Sequence, residues 1–368
     1  MSVMSGLLQL GIGIAVFAWA AMGPWTLGTF RRPPDPKPII TPRPESVFQD
    51  PILHASVHWE ALHTFNPAAI VRNGKVYVLY RAEDNTGQME IGMHTSRIGL
   101  AESEDGIHFK RRDAPVLYPD NDSQRSREWP GGVEDPRIVE TAEGSYVLTY
   151  TQWNRQTFTV GIATSRDLIH WQKYGPAFGT TGKYASLEYK SAGIATRVEG
   201  GRLIAVQIHG SYWMYWGEHP VRLAKSSDLI HWTPVEDSHS EPLVLLTKRP
   251  GHFDSGFPEV GPPPVLTASG VVLIYNGKNS EGSDRAVSIG AGAYSVGEAL
   301  FSKDDPKRLL DRSKEPFLEP TFPFEKTGQY AAGTTFAEGL VLFRGEWFLY
   351  YGCADSFVGV VIGGGGRR

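Results

Sequence analysis

Apolar and polar positions alternate with a period near two in five separate places along this chain. The segments are AAIVRNGKVYVLYRA, PRIVETAEGSYVLTYTQW, AGIATRVEGGRLIAVQIHG, PPPVLTASGVVLIYNGK and AEGLVLFRGEWFLYYGCAD. In each, β-branched and aromatic residues run up to a Gly, Asn or Glu-Gly step and resume beyond it, as two antiparallel strands joined by a tight turn would. Outside the N-terminal segment no long stretch carries apolar residues at a 3.6-residue spacing, so the chain reads as nearly all β.

A second periodicity overlies the first. DGIHFKRRDAPVL, RDLIHWQKYGPAF and SDLIHWTPVEDSHSEPL share an acid, an aliphatic residue, a His and an aromatic, with Phe109, Trp171 and Trp232 spaced 62 and 61 residues apart. Five hairpin units of roughly 60 to 75 residues, each with room for four strands, predict a five-bladed β-propeller with a central pocket. A two-sheet sandwich is the competing all-β arrangement, but it gives no reason for the recurrence. His108, His170 and His231 belong to that repeat and are expected to make internal hydrogen bonds.

In such a hairpin the residues before the first strand and after the second emerge at the same end, so these flanks should converge on one mouth of the channel. They are polar and rich in charge. Before the first strands come Asn66, Glu134-Asp135, Lys190, Glu259 and Tyr330; after the second come Arg81 with Glu83-Asp84, Asn154-Arg155, Asn276 with Lys278, and Asp355. Carboxylates, amides and aromatics gathered in one pocket suit a polyhydroxylated substrate, whose buried hydroxyls each need a partner.

Composition narrows the partners. The chain is long enough, at 368 residues with 41% apolar residues, to bury one large core or two smaller ones. A formal charge of −4 without a long basic run argues against nucleic acid. The lone Cys353 excludes an internal disulfide and lies in the apolar run WFLYYGC, where a packed thiol is expected. No metal-ligand spacing, phosphate-binding Gly loop or dinucleotide fingerprint appears, so neither a metal nor another cofactor is expected.

Residues 6–30 carry no charge, and LLQLGIGIAVFAWAAM has the length of an export-signal core with Ala18-Trp19-Ala20 as a cleavage site. Arg31 and Arg32 follow the apolar run and no cation precedes it, a polarity that fits an uncleaved anchor instead. Either way the domain is expected outside the cytoplasm, periplasmic or extracellular. The division expected is a signal peptide or anchor over 1–30, a Pro-rich strap over 31–44, the propeller over 45–362 and a flexible tail over 363–368.

The runs FNPAAIVRNGKVYVLYRAED, HTSRIGLAESEDGIHF, GGVEDPRI, YWMYWGE, EVGPPPVLTASGVVLIYNG and GQYAAGTTFAEGLVLFRGEWFLYYGCADSF closely resemble glycoside hydrolase family 130, in order, from about residue 45 to residue 362. The resemblance implies a five-bladed propeller acting on β-mannosides, in a family that holds both phosphorylases and hydrolases. Both activities invert the anomeric centre. By resemblance Asp135 of the EDPR motif is the general acid, its pKa open to being raised by burial and by Glu134, with Arg137 pulling the other way.

A phosphorylase needs a cationic cradle for phosphate, whereas a hydrolase needs a carboxylate to activate water. Glu218 and Glu259 resemble the paired glutamates of the hydrolase branch, whose members cleave β-1,2-mannosides, and hydrolysis is the favoured expectation. Arg81, Arg97, Arg155, Lys190 and His209 are equally able to hold inorganic phosphate, so a phosphorylase releasing mannose 1-phosphate is the alternative. Asn66, Arg81, His94, Arg97, Asn154, Arg155, Lys190, His209, Trp216, Tyr330 and Asp355 complete the expected substrate-binding set. A non-catalytic sugar-binding propeller would keep the aromatics without needing three acids at one mouth. A furanosidase or xylosidase of related propellers would lack the GPPP and KSAGI-type runs.

Overall fold

The computed structural model describes residues 25–364. Five four-stranded blades follow one another around a ring. Their inner, first strands begin at the pocket end of the ring and are His63–Arg72, Gly132–Glu140, the broken pair Ala192–Ile194 and Thr196–Glu199, the pair Phe257–Val260 and Val265–Leu266, and Thr335–Phe343. Each expected hairpin is present. In the third the second strand is split: Arg202–Ala205 pairs with Thr196–Glu199, while Ser211–Trp216 pairs with Ala192–Ile194. Between them a small excursion turns at His209-Gly210, both with positive φ.

The third strands are Ser96–Ser103, Phe158–Ser165, Val221–Ser226, Tyr294–Phe301 and Phe357–Gly364, running from the pocket end to the far end. Outer strands close four blades locally. The fifth is closed from the other end of the chain: Phe30–Arg31 pairs with Gly363 and Ile362. This corrects two expected boundaries. Trp25, Leu27 and Phe30 pack into the apolar layer between blades four and five, and Gly363 and Gly364 belong to a strand. Residues 1–24 and 365–368 lie outside the described residues, and with them most of the expected leader and tail.

Burial follows the ring. Among the described residues five apolar clusters occur, one between each adjacent pair of blades, including the pair made by the last and the first. Each buried Leu, Ile, Val or Phe contributes about 1.5–3 kcal/mol, so the alternation seen in the sequence is spent on both faces of every blade. Cys353 is one of these packed residues. Blades also meet edge to edge near the axis, where Ser96 pairs with Gly132 and Thr196–Arg197 with Val265–Leu266.

Candidate active site

Inner strands of a propeller would bury their polar residues uselessly unless something turned them toward the axis. Bulges do this. Register breaks fall between Phe65 and Pro67, between Glu134 and Arg137, and between Ala337 and Gly339. Asn66 and Asp135 sit in these bulges at φ 47°, each followed by proline. Asn and Asp tolerate this left-handed backbone better than most residues. A side chain at Gly352 would place its Cβ 2.2 Å from Asn66 Oδ1, so the YYGC glycine opens the room that Asn66 occupies.

Arg81, from the second strand of blade one, gathers these groups. Its Nη1 lies 3.1 Å from Asp135, and its Nη2 lies 2.6 Å from Glu83 and 2.8 Å from Glu134. Its Nε donates to Ser96 Oγ at 3.1 Å, and the guanidinium lies over the Phe65 ring. Asn66 Nδ2 donates to Asp135 at 2.9 Å, while Asn66 Oδ1 is buried without a partner.

The proton does not settle where the sequence suggested. Burial pushes both neighbouring acids up, but for Asp135 this is outweighed by Arg81, Lys190, Arg137 and the Asn66 amide, and its carboxyl is held below the usual range. In Glu134, burial outweighs Arg81, Asp135 and Glu83 add like charge, and the carboxyl is pushed up to about 7. The expectation of a raised Asp135 is therefore corrected: of the two neighbours, Glu134 is raised and Asp135 is lowered.

Across the axis a second acid pair forms. Glu218 and Glu259 make an isolated backbone bridge between blades three and four. Lys190 Nζ stands between them, 3.6 Å from Glu218 and 3.8 Å from Glu259. Ser191 Oγ donates a short hydrogen bond to Glu259. Burial, opposed by Lys190 and reinforced by Glu218, pushes Glu259 up to about 7. Asp355 follows blade five's second strand at φ 50°, and burial, with Arg81 opposing, pushes it to about 7 as well. Tyr330 lines an aromatic wall with Tyr294 and Phe257, with the Lys278 ammonium 5.7–5.9 Å from the three rings.

Four expected contacts lie elsewhere. Arg97 is wholly buried between Asp50 and Asp84, at 2.6 and 2.8 Å, and pins the segment before blade one. Trp216 is 1% exposed and packs against Phe178 and Tyr189 inside the layer between blades two and three, so it offers no sugar a face. His209 is exposed in the blade-three excursion at the far end and contacts the Asp304 carbonyl. Asn154 caps its own turn, accepting from Gln156 and Thr157 backbone N–H groups. Arg155, at φ 67°, lies beside the Gly87 loop at the rim. His94 is buried below the same loop, its Nδ1 donating to the Thr86 carbonyl at 2.9 Å.

Glu338 was not anticipated. It is fully buried in the blade-five bulge, with its Oε1 2.9 Å from Arg137 Nη2. The alignment does not make a hydrogen bond, and both Glu338 oxygens lack one. Burial drives its carboxyl well above the usual range despite Arg137. Arg137 also donates to the carbonyls of Asp135, Val260 and Gly261, tying the two acid pairs together from below. An acid inside the apolar run FAEGLVLF was the available sign, since an acid placed there needs a reason.

The recess of about 660 Å³ beside Asp167, His170, Trp171 and Tyr174 lies at the far end of blade two. The chemistry is at the other end, where five blades contribute charged groups to one axis.

Known proteins share this fold and much of this sequence. The family model described as beta-1,4-mannooligosaccharide phosphorylase, of glycoside hydrolase family 130, matches residues 34–364. A 1,2-beta-oligomannan phosphorylase of Thermoanaerobacter sp. (strain X514) is 31% identical over 330 residues, covering 89% of this chain and 94% of that protein. One solved structure is presented with the statement that the GH130 family of mannoside phosphorylases contains glycoside hydrolases that target beta-1,2 mannosidic linkages in Candida mannan. It is 50% identical, covers 93% of this chain and 95% of its own, and superposes with a TM-score of 0.90. A glycosyl hydrolase from Bacteroides ovatus is 48% identical with the same coverages and a TM-score of 0.90.

Proposed function

The chain belongs to glycoside hydrolase family 130, and from that premise we propose that it releases mannose from β-1,2-linked mannosides by direct attack of water, with inversion. Asp135 is the general acid, beside Glu134, whose carboxyl is pushed up to about 7. Glu259, backed by Glu218, is the base. Asn66, Arg81, Lys190, Asp355 and the Tyr330 wall hold the mannosyl unit.

The observation that supports water as nucleophile is the Glu218–Glu259 pair. A phosphate dianion arriving there would meet two carboxylates, and the nearby cations are already paired: Lys190 with both glutamates, Arg81 with three acids and Arg137 with Glu338. A base working near neutrality suits a carboxyl raised to about 7. The order of events follows from the same geometry. Substrate hydroxyls bond to Arg81 and Asn66, the proton passes to the glycosidic oxygen, and water deprotonated by Glu259 enters from the opposite face.

Phosphorolysis is the second reading. It is favoured by the curated relatives, which are named phosphorylases. Incubation with β-1,2-mannobiose, with and without inorganic phosphate, separates the two. Free mannose at an unchanged rate in both conditions supports hydrolysis. Mannose 1-phosphate formed only with phosphate overturns it while leaving the fold and the acid pair in place. The domain's export, by a cleaved leader or an anchor that ends before Trp25, is part of this proposal; recovery of the full-length chain in the cytosolic fraction would contradict it.

A further inference from the structure

The strand register of blade one assembles a group of donors that no sequence spacing displays. His63 is the cross-strand partner of Glu83, and Glu83 is followed by a loop that returns at His94, two residues before the third strand. One donor atom from each of the three lies within 4.8 Å of the others. We propose that His63, Glu83 and His94 bind a single divalent transition-metal ion of the zinc class in the wall of the pocket, with the fourth coordination position open to it.

The hydrogen bonds around the two imidazoles point the same way. A carbonyl oxygen only accepts, so the bond from His94 Nδ1 to Thr86 O requires the proton on Nδ1 and leaves the Nε2 lone pair free in the neutral ring. His63 Nδ1 is likewise engaged, 2.9 Å from Ser356 Oγ. Rings anchored through one nitrogen and bare at the other are the usual setting of metal-bound histidine.

Glu83 accepts from Arg81 and from Gln329 Nε2 at 3.1 Å, and a carboxylate retains further lone pairs beyond those two bonds. Arg81 opposes a nearby cation, and so does Lys190 across the pocket. Against them stand Glu83, Glu134, Asp135 and Asp355, and the mutual repulsion within this set helps to raise Glu134 and Asp355. A divalent ion would relieve that excess of carboxylates. Two imidazoles and one carboxylate form a donor set suited to zinc. Donors around a tetrahedral zinc lie about 3.4 Å apart at the usual bond lengths, so the three side chains draw together as the ion enters. None of this depends on whether water or phosphate attacks.

The test is direct. The full-length enzyme, stripped with a chelator, is titrated with Zn²⁺ by calorimetry and with Co²⁺ by visible absorption. One equivalent should bind, and Co²⁺ should show the intense bands of a four-coordinate site. His94→Ala and Glu83→Gln should each weaken binding by at least about tenfold, and His170→Ala at the far end should not. Circular dichroism verifies that each variant is folded, and His63→Gln serves if His94→Ala is not. Absence of saturable binding in the wild type, or binding unchanged in the folded ligand variants, overturns the proposal. So does a result in which the metal-free His94→Ala enzyme loses affinity only for the mannoside, which would make the cluster a sugar subsite.

Discussion

The two ends of the blades use the same residue types for opposite purposes. At the far end, Asp105, Asp167 and Asp228 are near copies of one another. Each carboxylate accepts from the backbone N–H groups two and three residues ahead at 2.8–2.9 Å, and each pairs with a His Nδ1 at 2.7 Å. At the pocket end the blade starts hold Asn66, Asp135, Ser191, Glu259 and Glu338, four residue types in five positions. The far-end acids spend their Oδ1 lone pairs on their own turns and leave Oδ2 to a neighbouring His and to solvent. The pocket-end groups find partners on other blades, or none, as with Asn66 Oδ1 and the Glu338 oxygens. Repetition here marks scaffold, and departure from the repeat marks chemistry.

Asp135→Asn should sharpen that contrast most. Turnover of β-1,2-mannobiose is expected to fall by roughly 10²- to 10⁴-fold, the scale of a lost general acid, while Asp167→Asn leaves it unchanged. Equal losses from the two would break the comparison.

Glu259→Gln comes next, with a fall of about 10²-fold or more in mannose release. Its wild-type pH profile carries the mechanism. A base raised to about 7 must be deprotonated, so the rate declines below that pH; the Glu134–Asp135 pair must keep its proton, so the rate declines above it. Glu218→Gln removes a like charge from beside Glu259 and should move the acidic limb to lower pH. A limb that stays in place would detach Glu218 from the base.

Stability effects at the far end are smaller. Asp167→Ala removes a turn cap and should cost about 1 kcal/mol in urea unfolding, the usual worth of a cap. Its folded carboxyl is depressed, burial being outweighed by the His170 backbone and side chain. That contribution is therefore full above the unfolded value of about 3.9 and disappears as the pH falls through the lower folded one. A mutant penalty that persists undiminished in strong acid would contradict the capping role. His170→Ala is the smallest change expected, a few tenths of a kcal/mol at an exposed pair.

Much of the site was legible as residue types at strand ends: Asn66, Arg81, Asp135, Lys190, Glu218, Glu259, Tyr330 and Asp355 all meet at the pocket. Arg97 and Trp216 were misplaced because a strand position says little about which face a large side chain takes when both faces of a blade are buried. His209 was misplaced because the third hairpin splits, sending that residue to the opposite end. Glu338 was not legible because its partner Arg137 belongs to another blade, and the meeting of His63, Glu83 and His94 because it depends on the strand register of blade one.

Strand, turn and repeat were determined by the sequence itself, because an alternating apolar period, a glycine at a positive φ and an Asp bonding to the next two or three N–H groups are all decided within a few residues. The family likeness, carried by short motifs in order, was legible for the same reason. Which polar groups reach the axis, and which of two adjacent acids keeps the proton, were decided only by the folded ring. Glu134 and Asp135 are neighbours in the chain, yet one is raised and the other lowered. The difference comes from how Arg81 and Asn66 of blade one, Lys190 of blade three and buried Arg137 are placed around each carboxyl, a matter of distances and burial that chain order does not specify.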